Sequence, residues 1–145
     1  MNVSRGFEKL NELGIIPKRG TSGSAGYDFY NPEAIEIAPQ EVKVINTYIR
    51  AYMEKDEYLA IFIRSSMGIK KGLRLVNSVG IIDSDYYNNP DNGGHIRIAL
   101  KNESDKTITL ETGERVAQGI FMKYLIADDD DVTNVRTGGI GSTNK

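Results

Sequence analysis

The sequence predicts an all-β fold, an antiparallel sandwich or barrel of jelly-roll topology. Two observations carry that prediction. Apolar and polar side chains alternate at a period of two in one short run after another. Gly, Pro, Asn and Asp separate those runs at short intervals. Few stretches show helical spacing, and no internal repeat is visible.

The runs follow in chain order. "FEKLNEL" (7–13) reads as a helical turn or as a first strand. In "EVKVINTYI" (41–49), Val42 and Val44 share one face and Ile45, Thr47 and Ile49 the other. In "LAIFIRSS" (59–66), Leu59, Ile61 and Ile63 alternate with Ala60, Phe62 and Arg64. "SSMGIKKG" (65–72) predicts one short helix with Ser65 or Ser66 as its N-cap. Ile96, Ile98 and Leu100 alternate with Arg97 and Ala99, Ile108 and Leu110 continue the pattern, and "ETGE" makes a turn. Val116, Ile120 and Met122 then share one face of a last strand, with Gln118 on the same face. "DDDD" (128–131) reads as a solvated acidic turn, because consecutive carboxylates converge poorly on one ion. The glycine-rich end "RTGGIGSTNK" is expected to be disordered when free.

Composition excludes several classes of function. A chain of 145 residues with 39% hydrophobic and 26% charged residues reads as one soluble globular domain large enough to bury a core. Its net charge of −2 creates no general attraction to nucleic acid or to an anionic membrane. A bound polyanion must therefore be held by a few placed arginines. With no cysteine there is no disulfide framework, thiolate metal site or cysteine nucleophile, and a reducing cytoplasm is the expected location. A single histidine, His95, argues against a histidine metal site. "MNVSRGFEKL" carries charge early and lacks an apolar stretch, so no signal peptide is expected. The longest aliphatic and aromatic run, Leu59 to Ile63, is far too short to span a membrane.

Some polar residues are left over from the strand pattern. Asp28 follows small residues in "SAGYDF", where a backbone can approach something closely. "RSSMGIKKG" offers Arg64, Ser65, Ser66 and the N–H groups of a helix start, either a phosphate cradle or an ordinary cap. Asn77 in "LVNSVG" falls inside an otherwise apolar run that reads as a buried strand, and there it must satisfy its amide on backbone or on a ligand. In "GIIDSDYYNN" (80–89) an apolar strand runs into Asp83. Carboxylates of this type titrate near pH 4 and at neutral pH accept a proton from water, though an Asp opening a turn is also common. Tyr86 either packs flat on a ring or covers the edge of the core. Gln118 in "RVAQ" is of a type seldom buried without a partner. The glycines of the tail expose N–H groups suited to phosphate.

In order and spacing, "SAGYDF", "RSSMGIKKG", "LVNSVGIIDSDY", "GERVAQGIF" and "GGIGST" resemble the five motifs of the homotrimeric dUTP diphosphatases, over about residues 24 to 143. The resemblance implies an antiparallel jelly roll of β-clip type, residues 1–127, with a C-terminal arm, 128–145, closing over a neighbour's active site. It implies hydrolysis of dUTP to dUMP and pyrophosphate, with Asp83 activating the water that attacks the α-phosphorus. Main-chain groups of Gly80, Ile81 and Ile82, with the Asn77 amide, would read uracil, and Tyr86 would pack on the deoxyribose and exclude a 2′-hydroxyl. Arg64, Ser65, Ser66 and Gln118 match phosphate contacts. Arg136, Gly138, Gly139, Ile140, Ser142 and Thr143 match the closing tail. Mg²⁺ is expected on the triphosphate, with Asp28 behind it in a supporting role.

The chain departs from the family pattern in places. Ile63 replaces a proline, and Ile140 stands where a phenylalanine usually stacks on the base. One residue is missing between Arg136 and the glycine pair. The stretch "YNNPDNGG" (87–94) reads as a lengthened hairpin, and Tyr87 or His95 is the expected substitute cover for the base. Two other readings share this fold. One is a nucleotide-sensing regulatory protein, with a protein partner if the chain comes from a phage. The other is a dCTP deaminase, which would need a glutamate base that Glu103 is poorly placed to supply.

Overall fold

Short β-branched and aromatic runs form twelve strands among residues 3–138, the part of the chain that this computed structural model describes. They are β1 (Gly6–Lys9), β2 (Lys18–Arg19), β3 (Tyr27–Tyr30), β4 (Ile35–Ile37), β5 (Val42–Asn46) and β6 (Ile49–Tyr52). Then come β7 (Glu57–Ile63), β8 (Leu73–Leu75), β9 (Gly80–Asp83), β10 (Arg97–Asn102), β11 (Ile108–Leu110) and β12 (Arg115–Lys123). One short helix, α1 (Ser65–Ile69), and one 3-10 turn, Ser84–Tyr86, complete the described elements. Gly139, Ile140, Ser142 and Thr143 lie outside the described residues.

The strands pair antiparallel, as the alternation predicts. The largest sheet has the order β2-β3-β12-β7-β9, and a second has the order β5-β10-β8. Two smaller ribbons pair β1 with β6 and β4 with β11. The core lies between these layers, where Phe29, Ile37, Leu59, Leu100, Leu110 and Val116 are fully buried. Each such side chain contributes about 1.5–3 kcal/mol by leaving water. Buried amides stitch the layers together. Asn102 Nδ2 donates to the carbonyls of Ile37 (2.8 Å) and Lys106 (2.7 Å). Asn31 Nδ2 donates to Leu110 (3.2 Å) and Glu111 (3.1 Å).

Several elements differ from the sequence reading. The 7–13 stretch opens as strand β1. The run 41–49 is broken at Tyr48, whose φ of 56° turns the chain between β5 and β6. Thr47 fills the break, donating from Oγ1 to the Ile96 carbonyl. In β12 a bulge between Arg115 and Ala117 shifts the alternation. Val116 and Ala117 are both buried, and Gln118 ends on the opposite face from Val116. The stretch 87–94 is no hairpin: it links β9 of the large sheet to β10 of the second sheet.

Candidate active site

Strand β9 explains why an apolar run ends in an acid. Gly80 packs closely on Ile61, where an added Cβ would lie 3.2 Å from the Ile61 Cβ. Ile82 faces the core and Ile81 faces outward, 55% exposed. Asp83 is the last residue of the strand, opposite Tyr58 of β7, and the 3-10 turn that follows it carries the buried Tyr86. Among the described residues β9 pairs with β7 alone, so it is an edge strand whose other side presents backbone donors and acceptors. A cavity of about 400 Å³ opens there, lined in part by Asn77, Gly80, Ile81, Ile82, Asp83, Tyr86, His95 and Arg136.

Asn77 is not in a buried strand, as its apolar neighbours had suggested. It sits exposed in the turn between β8 and β9, beside Ser78 with φ 63°. Tyr86 is buried and its hydroxyl donates to the His95 carbonyl. His95 stacks on Tyr48 at 5.3 Å, and its Nε2 accepts the Tyr48 N–H at 3.0 Å, which leaves the ring proton on Nδ1. Burial, with Arg97 as the lesser cause, holds the His95 pKa below its ordinary value. Tyr87 points elsewhere: its hydroxyl donates to Glu8 at 2.8 Å and its ring lies under Arg50. Of the two residues expected to cover the base, only His95 lines the cavity.

Arg136 was expected to reach a terminal phosphate. Here its Nη2 donates to Asp83 Oδ2 at 2.6 Å and its Nε to Asp85 Oδ1 at 2.7 Å, both in its own chain. Its side chain is 9% exposed, and its guanidinium lies 5.8 Å from the Tyr86 ring centre. Gly138 accepts a long bond from Nη1, 3.4 Å.

The other expected residues gather at a different place. Arg64, not Ser65 or Ser66, occupies the N-cap of α1, and its carbonyl accepts the N–H groups of Met67 and Gly68. No side chain caps the helix. The serines follow as its first residues, where N–H groups lack partners within the helix. Arg64 Nη1 donates to Ser66 Oγ at 3.4 Å. Asp28, expected behind a metal, faces two cations, Arg64 Nε at 3.5 Å and Arg115 Nη1 at 3.6 Å. Gln118 lies opposite Asp28 in the sheet register. Its side chain fills the space that Gly26 leaves open, since a Cβ on Gly26 would collide with Oε1. Among the described residues no three His, Cys, Asp or Glu side chains form a group fit to hold a metal.

These two groups do not meet within one chain. β7 and β9 run antiparallel with Tyr58 opposite Asp83, while Arg64 follows the far end of β7. Arg64 lies six positions beyond Tyr58, roughly 20 Å at the usual rise of about 3.3 Å per residue.

A model of the dUTPase family matches residues 13–144. The chain belongs to the dUTPase family. It is 52% identical to the deoxyuridine 5′-triphosphate nucleotidohydrolase of Lactococcus lactis over 96% of this chain and 97% of that protein. It superposes on the crystal structure of a dUTPase from Streptococcus mutans with a TM-score of 0.79 at 49% identity, covering 85% of this chain and 98% of that one. The fold is also that of the Staphylococcus bacteriophage 80alpha dUTPase, TM-score 0.76 at 21% identity, over 92% of this chain and 98% of that one. Sequence reasoning had found the motifs of this dUTPase but missed Arg115 and Asp85. Arg115 stood beside Gln118 in "RVAQ", and the bulge after it was not legible. Asp85 is one position on from Ser84 in the same turn as Asp83.

Proposed function

We propose that this dUTPase hydrolyses dUTP to dUMP and pyrophosphate, serving nucleotide metabolism as a source of dUMP. The observation that carries the reading is the cavity along edge strand β9, which ends on Asp83 and is closed by Tyr86. Backbone groups of Gly80 to Ile82 and the Asn77 amide read the uracil edge. Cytosine carries an amino donor where uracil carries O4, so a donor facing that position rejects it by orders of magnitude. Asp83 takes a proton from water, the water oxygen bonds to the α-phosphorus, and the bond to the bridging oxygen breaks as pyrophosphate leaves.

Arg64, Ser65, Ser66 and Gln118 position and neutralise the phosphates, and Asp28 orients Arg64. Mg²⁺ bound to the triphosphate would be held by phosphate oxygens and water and would offset part of the negative charge. Because Asp83 and Arg64 stand at opposite ends of β7, each site takes Asp83 from one copy and the phosphate group from another. A homotrimeric jelly roll of β-clip type satisfies this requirement, with residues 1–127 as its domain. Exposed apolar side chains such as Val76, Val79, Leu125 and Ile126 support a further contact between copies. The arm, 128–145, closes the site, and Arg136 leaves Asp83 for the terminal phosphate when nucleotide arrives. The cysteine-free chain suits the cytoplasm.

The test is pyrophosphate release from dUTP with Mg²⁺, beside dCTP, dTTP and UTP, for wild type and Asp83→Asn. Release from dUTP alone, lost in the variant, is expected. Binding of dUTP without release would favour a nucleotide sensor.

A further inference from the structure

The loop 87–94 has two ties. At its outer end Arg50 Nη1 donates to Asn88 Oδ1 at 3.0 Å, and the Arg50 guanidinium covers the Tyr87 ring at 4.6 Å. Arg50 Nε also donates to Glu8 at 2.9 Å, the same carboxylate that Tyr87 uses. At its inner end the loop grips Tyr86. Asn92 Nδ2 donates to the Tyr86 hydroxyl at 2.9 Å, and Asn89 Nδ2 donates to the Tyr86 carbonyl at 2.9 Å.

The two asparagines also hold each other. Asn89 Nδ2 donates to Asn92 Oδ1 at 2.9 Å, and Asn89 Oδ1 accepts the N–H groups of Asp91 (2.9 Å) and Asn92 (3.2 Å). Asn92 Oδ1 accepts the Gly94 N–H at 3.1 Å. Gly94 has φ 89°, and a Cβ there would lie 2.9 Å from the Tyr86 carbonyl oxygen, so the loop closes tightly on the tyrosine. Asn89 is only 5% exposed, a buried amide with its donor and acceptor both engaged. The Tyr86 hydroxyl thus gives its proton to His95 and receives one from Asn92.

We propose that Asn89 and Asn92 are positioning residues for sugar selection: through the hydroxyl and carbonyl of Tyr86 they fix the ring that shuts out a 2′-hydroxyl. The inference rests on the dUTPase reading above and adds the part that makes the sugar wall rigid. Rejecting one added oxygen is a steric task, and a wall that yields by about an ångström no longer performs it. A ring held only by packing can tilt, whereas a ring tethered at both its hydroxyl and its backbone cannot without breaking these bonds. Asp83 lies on the other side of the turn and keeps its own position when the tether is cut. The effect therefore falls on the choice between sugars more than on the turnover of dUTP.

The experiment measures kcat/KM for dUTP and for UTP in wild type, Asn92→Ala, Asn89→Ala and Tyr86→Phe. Tyr86→Phe keeps the ring and its carbonyl tie to Asn89 but removes the bonds of its hydroxyl, and it reads the hydroxyl half of the proposal even where an asparagine variant fails to fold. Ile108→Val, in the distant β4–β11 ribbon, serves as a destabilised control. The expected result is a fall of about five- to tenfold in the dUTP-to-UTP ratio in Asn92→Ala and Tyr86→Phe, the scale of one hydrogen bond. The control keeps the wild-type ratio. A wild type selective for dUTP whose variants keep that ratio, whatever their melting temperature, overturns the proposal and leaves the dUTPase reading intact. A wild type that hydrolyses neither nucleotide overturns both.

Discussion

The two ends of β7 hold opposite kinds of site. At the Tyr58 end the cavity is built: Tyr86 is buried and tethered, His95 is stacked and hydrogen-bonded, and the edge of β9 is fixed by its register with β7. The Arg64 end is paired more loosely. Arg64 and Arg115 share Asp28 at 3.5 and 3.6 Å, beyond hydrogen-bond length, and the helix start carries no side-chain cap. On the proposed function the difference follows from what each end must recognise. A uracil and a deoxyribose are told from near-identical competitors by shape and by single hydrogen bonds, which demands a rigid wall. A triphosphate is held by charge, and loosely paired arginines with open N–H groups can close on it when it arrives.

The largest effect separates chemistry from binding at the built end. Asp83→Asn is expected to lower kcat for dUTP by about 10³-fold or more, with nucleotide affinity within a few-fold of wild type. Steady-state kinetics beside calorimetric binding checks it, and equal loss of both would make Asp83 part of the wall. At the open end Arg64→Ala is expected to lower kcat/KM by roughly 10²-fold, with a weaker salt dependence of KM. Uridine selectivity over cytidine should stay unchanged, because the proposed function makes that choice at the other end.

The smallest effect concerns pH. The His95 pKa is lowered, chiefly by burial, from 6.5. The folded state therefore favours the neutral ring, and protonation would turn Nε2 into a donor facing the Tyr48 N–H. The stability this gives is fully present above pH 6.5 and is lost as pH falls through the folded value. Melting temperatures taken from pH 7.5 downward should drop by a few degrees in that window, and His95→Gln should flatten this part of the curve. A slope unchanged by the substitution would assign it to the carboxylates.

Much of this was legible in the sequence, because the strands obey a period of two and the chemistry-bearing residues stand in ordered motifs. Asp83 could be placed at a strand end from "GIID" alone. What stayed hidden depends on pairing between distant segments. Arg64 and Asp83 are close in sequence, yet the antiparallel register of β7 and β9 sets them at opposite ends. The bulge in β12 moved Gln118 to another face and brought Arg115 to Asp28, and no local signal marks it. Adjacent tyrosines, Tyr86 and Tyr87, look equivalent in sequence. The 3-10 turn sends one to the cavity and the other to Glu8 and Arg50.

The proposed function requires that a working site join the two ends of β7 from different copies. Its most direct test is complementation. Asp83→Asn and Arg64→Ala chains, each nearly inactive alone, are unfolded together, refolded at equal ratio and assayed for pyrophosphate release from dUTP. In a trimer with head-to-tail interfaces every mixed assembly regains one intact site of three, so about a quarter of wild-type activity should return. Activity that stays at the level of the two variants measured separately would contradict the shared site.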